Sequence, residues 1–232
     1  MPTAPADPRT GPSGQSQDAA RWRRERLARS RLYVVTGARR DQGDLEDFLE
    51  TILQAGTDVI QLREKDAEGG DLLRWGEVFL AAARRHGALF VVNDRPDVAA
   101  ALEADGVHVG QNDLPPAVTR RLVGPAMIIG LSTHSAEQLR GASPQADYVC
   151  VGPVHETTTK PGRPAVGLDL VRVAATHERR AWFAIGGINR ETVGPVLSAG
   201  ARRVVVVRAV TEAPDPAEAV RELLERLGEG PT

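Results

Sequence analysis

The sequence predicts an α/β fold, a parallel (β/α)8 TIM barrel behind an N-terminal tail, on three observations. Eight short apolar runs recur between Leu32 and Val207, and they read as strands buried on both faces of a parallel sheet. The segments between them carry helical periodicity. Helix-closing turns also recur, as Ala55-Gly56, Ala104-Asp105-Gly106, Ala146-Asp147 and Ala199-Gly200-Ala201, with starts 49, 42 and 53 residues apart. Each interval covers two strand–helix units, and eight units close into a barrel more naturally than into an open sheet. A doubly wound open sheet is the alternative. However, Thr36-Gly37-Ala38 stands where its Gly-x-Gly-x-x-Gly turn would follow the first strand.

Taken in order, residues 1–18 are rich in Pro, Gly, Ser and Gln and read as a disordered tail. Arg21, Arg23, Arg24, Arg26, Arg29 and Arg31 follow, read as a solvated basic helix leading into the first strand, with a patch for an anionic partner as the alternative. This divides the chain into a tail over 1–30 and one catalytic barrel over 31–228. The predicted strands are Leu32–Val35, Val59–Leu62, Leu89–Val92, Val107–Val109, Met127–Leu131, Tyr148–Gly152, Trp182–Ile185 and Val204–Val207. Leu45, Phe48, Leu49 and Ile52 share one helical face. Leu72, Trp75, Val78, Phe79 and Ala82 share another, stopped by Gly87. The last helix has Asp215 as its cap, Pro216 at its first position and Glu218 completing a capping box. Val220, Leu223, Leu224 and Leu227 form its apolar face, and Gly228 ends it.

Composition narrows the function. The 232 residues are 41% hydrophobic, enough for a sizeable core, and the net charge of −2 gives no general drive toward nucleic acid or a membrane surface. No apolar run approaches the roughly 20 residues a bilayer span needs, and no signal peptide is visible. The single cysteine, Cys150, cannot form an internal disulfide, which fits the cytoplasm. Small molecules are the expected partners, and a homo-oligomer is left open.

The chemistry gathers in the loops after the strands, which form the active face of a barrel. The third and fourth strands run straight into Asn93-Asp94-Arg95 and Gln111-Asn112-Asp113, whose aspartates are 19 residues apart. On neighbouring parallel strands, both carboxylates reach the same end of the sheet, an arrangement suited to a hard cation such as Mg²⁺. A single aspartate before a helix is more often a cap, and Asp113-Leu114-Pro115 fits that description. Two at equivalent positions, beside Asn93 and Gln111, favour metal. After the second strand, Gln61, Arg63 and Lys65 alternate onto one side and suit an oligophosphate, with a rim salt bridge to Glu64 or Asp66 as the plainer reading.

Ser132, Thr133, His134 and Ser135 follow the fifth strand. One hydroxyl there serves as a helix cap and another as a phosphate contact, and His134 reads as a surface or capping residue. His108, within the fourth strand, reads as a packed, hydrogen-bonded wall residue. His155-Glu156 lacks the second histidine of a zinc helix. The long loop from Pro153 to Gly167 carries Thr157, Thr158, Thr159, Lys160, Gly162 and Arg163 and suits a phosphate-binding lid. Ile185-Gly186-Gly187-Ile188-Asn189 and Val207-Arg208-Ala209 end the last two strands, the usual phosphate site of a barrel, and Asn189 caps the helix that follows.

Seven of these motifs, in this order, resemble the thiamine phosphate synthase family. They are Gln61-Leu62-Arg63-Glu64-Lys65, Val92-Asn93-Asp94-Arg95, Gly106-Val107-His108-Val109-Gly110-Gln111, Gly130-Leu131-Ser132, Val151-Gly152-Pro153-Val154, Thr157-Thr158-Thr159-Lys160 and Ala184-Ile185-Gly186-Gly187-Ile188. The resemblance spans about Leu32 to Leu227. It implies a transferase that joins hydroxymethylpyrimidine diphosphate to a thiazole phosphate and releases pyrophosphate. It also implies one Mg²⁺ on Asp94 and Asp113, with Arg63, Lys65, Lys160 and Ser132 as catalytic groups. Gln61, Leu62, Arg63, Glu64, Lys65, Asn93, Ser132 and Lys160 would contact the pyrimidine diphosphate. Thr157, Thr158, Thr159, Gly187, Val207 and Arg208 would take the thiazole phosphate. One departure stands out: Arg208 occupies the place where the family pattern has serine. The alternatives are a barrel that isomerises the thiazole phosphate without a metal pair, and a nonenzymatic binder using the Arg21–Arg31 segment.

Overall fold

Each of the eight apolar runs forms a strand, and the helical faces between them form helices. The computed structural model describes residues 17–156 and 164–228. The strands are β1 (Leu32–Thr36), β2 (Val59–Leu62), β3 (Leu89–Asn93), β4 (Gly106–Val109), β5 (Ile128–Thr133), β6 (Tyr148–Val151), β7 (Ala181–Ile185) and β8 (Val204–Val206). All pairings are parallel and run in chain order, and β8 closes on β1 with Leu32 opposite Val204. The helices are α1 (Gln17–Arg29) before β1, then α2 (Leu45–Gln54), α3 (Gly69–His86), α4 (Pro96–Ala101), α5 (Pro116–Val123), α6 (Ala136–Arg140), α7 (Gly167–His177), α8 (Val193–Ser198), α9 (Arg208–Thr211) and α10 (Pro216–Leu227). The predicted (β/α)8 barrel is therefore the fold. No helix among the described residues is long and apolar enough to cross a membrane.

Alternation along the strands sorts the apolar side chains into two layers. Val34, Ile60, Leu62, Val92, Val107 and Ile129 face outward and pack against the helices. Tyr33, Val35, Val59, Leu89, Val91, Ile128, Tyr148, Cys150, Phe183 and Val205 fill the barrel. The helix ends follow their local chemistry. Gly87 closes α3 with φ 62°, a left-handed conformation that costs glycine least. The Asp215 carboxylate accepts the Glu218 N–H at 2.9 Å, but the other half of the expected box is missing because the Glu218 carboxylate holds Arg221.

The basic segment is a helix, solvated on one side and buried on the other. Ala19, Arg23 and Leu27 are buried along one face of α1, and Leu27, with Trp22 beside it, closes the bottom of the barrel interior. Its arginines meet the aspartates that open the even strands. Arg26 pairs with Asp58 at 3.1 Å, Arg23 with Asp105 at 3.0 Å and Arg24 with Asp147 at 3.3 Å. The other oxygen of each carboxylate accepts a backbone N–H from the preceding odd strand: Leu32 for Asp58, Phe90 for Asp105 and Ile129 for Asp147. The two-unit repeat legible in the sequence is thus a set of clamps between neighbouring strands. Before β8, Arg203 replaces the aspartate and donates to the Ala28 carbonyl of α1 at 2.7 Å.

Candidate active site

A cavity of about 450 Å³ sits among the C-terminal ends of the strands. Tyr33 and Val35 come to it from β1, Gln61 and Arg63 from β2 and its exit, Asn93 from β3, His108 from β4 and Cys150 from β6. The loops after β6, β7 and β8 supply Gly152, Pro153, Gly187, Val207 and Arg208. Beneath the polar rim, Phe183 meets Tyr33 and Tyr148 edge-on, with ring centroids 5.5 and 5.7 Å apart.

Asp94 and Asp113 converge. Asp94 sits at φ 60°, a left-handed conformation that aspartate and asparagine adopt more readily than most residues, and its N–H donates to the His108 carbonyl at 2.8 Å. Neither aspartate caps the helix after it. Arg95 and Pro115 hold those positions without a side-chain bond, and Asp113 turns back to accept the Gly110 N–H at 2.7 Å. Burial raises the Asp94 pKa, and the Asp113 carboxylate within hydrogen-bonding reach raises it further. Lys65 opposes the shift from 3.7 Å. Neither aspartate lines the cavity itself, although Asn93 beside Asp94 does; two carboxylates pressed together there suit a bound cation, which would relieve their repulsion. Among the described residues no group of three or more His, Cys, Asp or Glu side chains could hold a metal, so a cation here would draw its remaining ligands from substrate or water.

Arg63 presents a second opening for a ligand: its Nε is buried with no hydrogen-bond partner among the described residues. Gln61 and Asn93 flank it in the cavity lining. The other two residues of the β2 motif turn elsewhere. The Leu62 side chain is 1% exposed and packs in the outer layer, because alternation reverses its direction relative to Gln61 and Arg63. The Glu64 carboxylate accepts the Ala38 N–H at 2.7 Å and tethers the loop after β1. Neither side chain is among the residues that line the cavity.

Ser132 faces inward beside His108, with Oγ 2.9 Å from Nε2, and the helix cap that follows is Ser135. His134 is more central than predicted: it lines the cavity, with Nδ1 2.6 Å from the Gly152 carbonyl oxygen. Gly186 and Gly187 pack against the loop after β6, and a Cβ on Gly186 would lie 2.5 Å from the Pro153 Cα. Asn189 accepts the Glu191 and Thr192 N–H groups and organises the turn before α8, while Thr192 takes the cap position itself. Thr157, Thr158, Thr159 and Lys160 lie outside the described residues. The site also draws on Tyr33 and Cys150, to which the sequence alone assigns no site role. The inward phase of each strand, extended back from Gln61 and Ser132, was the signal that could have found them.

Fold and site define a (β/α)8-barrel enzyme with a carboxylate pair and an arginine whose buried Nε has no hydrogen-bond partner among the described residues, both at the C-terminal ends of its strands. The sequence matches the family model described as thiamine monophosphate synthase over residues 32–210. A thiamine-phosphate synthase from Acidothermus cellulolyticus is 57% identical over 204 residues, 87% of this chain and 96% of that one. One from Thermobifida fusca is 53% identical over 207 residues, 88% of this chain and 95% of its own length. Among solved structures, a thiamine phosphate pyrophosphorylase from Pyrococcus furiosus superposes with a TM-score of 0.78 at 33% identity, covering 87% of this chain and 96% of that one. The chain belongs to the thiamine monophosphate synthase family, enzymes that condense a pyrimidine and a thiazole moiety into thiamine phosphate.

Proposed function

We propose that the condensation proceeds by loss of pyrophosphate from hydroxymethylpyrimidine diphosphate, followed by attack of the thiazole nitrogen on the exposed methylene carbon. The observation that carries this reading is the convergence of Asp94 and Asp113 beside Lys65; the Arg63 Nε, buried without a partner among the described residues, supports it. Asp94 and Asp113 would hold Mg²⁺, which when bound supplies positive charge against the diphosphate. Arg63 would bind the diphosphate by charge-assisted hydrogen bonds, and Lys65 would exchange Asp94 for a phosphate oxygen. Lys160 is assigned the same task by the family pattern.

The electron-rich aminopyrimidine can carry the positive charge left on its methylene carbon, so no protein nucleophile is required. Asn93, Gln61 and Ser132 would orient the pyrimidine. Gly187, Val207 and Arg208 would hold the thiazole phosphate on the far side, with Thr157, Thr158 and Thr159 joining from the loop after β6. Catalysis then rests on positioning two bound substrates and on stabilising a departing anion. We also place the enzyme in the cytoplasm, consistent with its one cysteine buried inside the barrel.

The test is pyrophosphate release from both substrates, with Mg²⁺ and then with excess chelator. Release that requires both substrates and the metal is expected. Full activity in chelator would remove the metal assignment, and no release under either condition would remove the reaction. An electron-withdrawing substituent on the pyrimidine should slow release severely if departure precedes attack.

A further inference from the structure

Five inward-facing side chains join into one hydrogen-bonded chain across the barrel interior. Gln61 Nε2 lies 2.5 Å from the Tyr33 hydroxyl, which lies 3.1 Å from the Tyr148 hydroxyl. The Tyr148 hydroxyl is 3.1 Å from His108 Nδ1, and His108 Nε2 is 2.9 Å from Ser132 Oγ. We propose that Tyr148 is a positioning residue that transmits one hydrogen-bond direction from Gln61 to Ser132, holding His108 as its Nε2–H tautomer and leaving the Ser132 hydrogen free for a ligand oxygen.

The direction follows from the donors. Gln61 Nε2 can only donate, so the Tyr33 oxygen accepts there and its own hydrogen goes to Tyr148. Tyr148 then donates to His108 Nδ1, which leaves the imidazole hydrogen on Nε2, facing Ser132. Burial raises the pKa of both phenols, so both remain neutral O–H groups able to accept and donate at once. Reversal of the chain would require the Gln61 amide to turn over. That would replace an acceptor with a donor at Gln61 and commit the Ser132 hydrogen to His108. The hydroxyl of Tyr148 therefore couples hydrogen-bond polarity at two proposed substrate contacts three strands apart, on β2 and β5.

The backbone is built around this link. His108, Gly130 and Tyr148 stand side by side in register across β4, β5 and β6. A Cβ on Gly130 would lie 2.4 Å from both His108 Nδ1 and the Tyr148 hydroxyl oxygen, so only glycine leaves room for the two to meet. All five side chains of the relay are at most 7% exposed, where a lost partner cannot be replaced by bulk water without cost.

The tautomer is read on the full chain without substrates, by long-range ¹H–¹⁵N correlation on ¹⁵N-histidine-labelled protein, with His108 assigned by the loss of its signals in His108→Asn. An Nε2–H tautomer is expected, and an Nδ1–H tautomer would overturn the relay. In Tyr148→Phe the single tautomer should be lost and the KM for the pyrimidine diphosphate should rise about tenfold, with the thiazole phosphate KM within twofold of the native value. If both KM values hold, or both rise alike, Tyr148 is not a positioning residue. The assignment of substrates to the two ends rests on the proposed reaction. The tautomer does not, so failure of the reaction and failure of the relay give different results.

Discussion

The Arg23 guanidinium meets the Asp105 carboxylate at 3.0 Å beneath the barrel, with side chains only 3% and 1% exposed. Removing one partner of a buried pair strands the other charge, at a cost of about 3–5 kcal/mol. Arg23→Met should therefore lower the unfolding temperature by about 10 °C in a chain of this length. Adding Asp105→Asn removes the stranded charge while keeping an acceptor for the Phe90 N–H, so the double variant should recover much of the loss. Thermal unfolding of the three proteins checks this. A single variant as stable as the native chain would mean that α1 adds nothing through this pair.

That pair also marks where sequence reading ran out. The strands were legible because burial on both faces demands continuous apolar runs, and the carboxylate pair was legible because each aspartate follows a strand at once. The role of α1 was hidden by its charge. Ala19, Arg23 and Leu27 are a buried stripe at four-residue spacing, but an arginine in its centre reads as solvent-facing until its carboxylate partner is known. Leu62 and Glu64 joined Gln61 and Arg63 only through the family motif, whereas alternation along the strand already turned them to the other side. The internal relay was invisible because Tyr33 and Tyr148, 115 residues apart, meet only once the barrel closes.

Asp94 carries a cost that a bound cation should reverse. Its raised pKa means that the folded state binds this proton more tightly than the unfolded state does. The contribution of Asp94 to stability therefore falls as pH rises from the ordinary carboxylate range through its raised value. Metal-free Asp94→Asn should unfold at a higher temperature than the native protein at pH 7, with the gap closing as pH falls below that window. Asparagine tolerates φ 60°, so the substitution tests charge rather than backbone strain. Millimolar Mg²⁺ should stabilise the native chain more than the variant. An equal pH profile for the two proteins would remove the electrostatic argument.

Glu64 should affect stability more than substrate affinity. Its carboxylate accepts the Ala38 N–H at 2.7 Å and lies 2.5 Å from where a Cβ on Gly37 would sit. Glu64→Ala orphans that backbone donor, at about 1–3 kcal/mol. The expected result is a lower unfolding temperature with both KM values near native. A selective rise in the KM for the pyrimidine diphosphate would instead make Glu64 a substrate contact.

Arg208 should set affinity for the thiazole phosphate. It is exposed, opens α9, lines the cavity and has no carboxylate partner among the described residues. A guanidinium so placed can add a charge-assisted bond to a phosphate already met by backbone amides, worth about 1.5–3 kcal/mol. Arg208→Ser should then raise the thiazole phosphate KM by about tenfold or more, since about 1.4 kcal/mol is one decade. The KM of the pyrimidine diphosphate should hold. The native enzyme should lose thiazole phosphate affinity as salt rises, and the serine variant should lose less, because screening acts on a charge it lacks. If both the KM and its salt dependence are unchanged, the guanidinium points to solvent and takes no part in holding the phosphate.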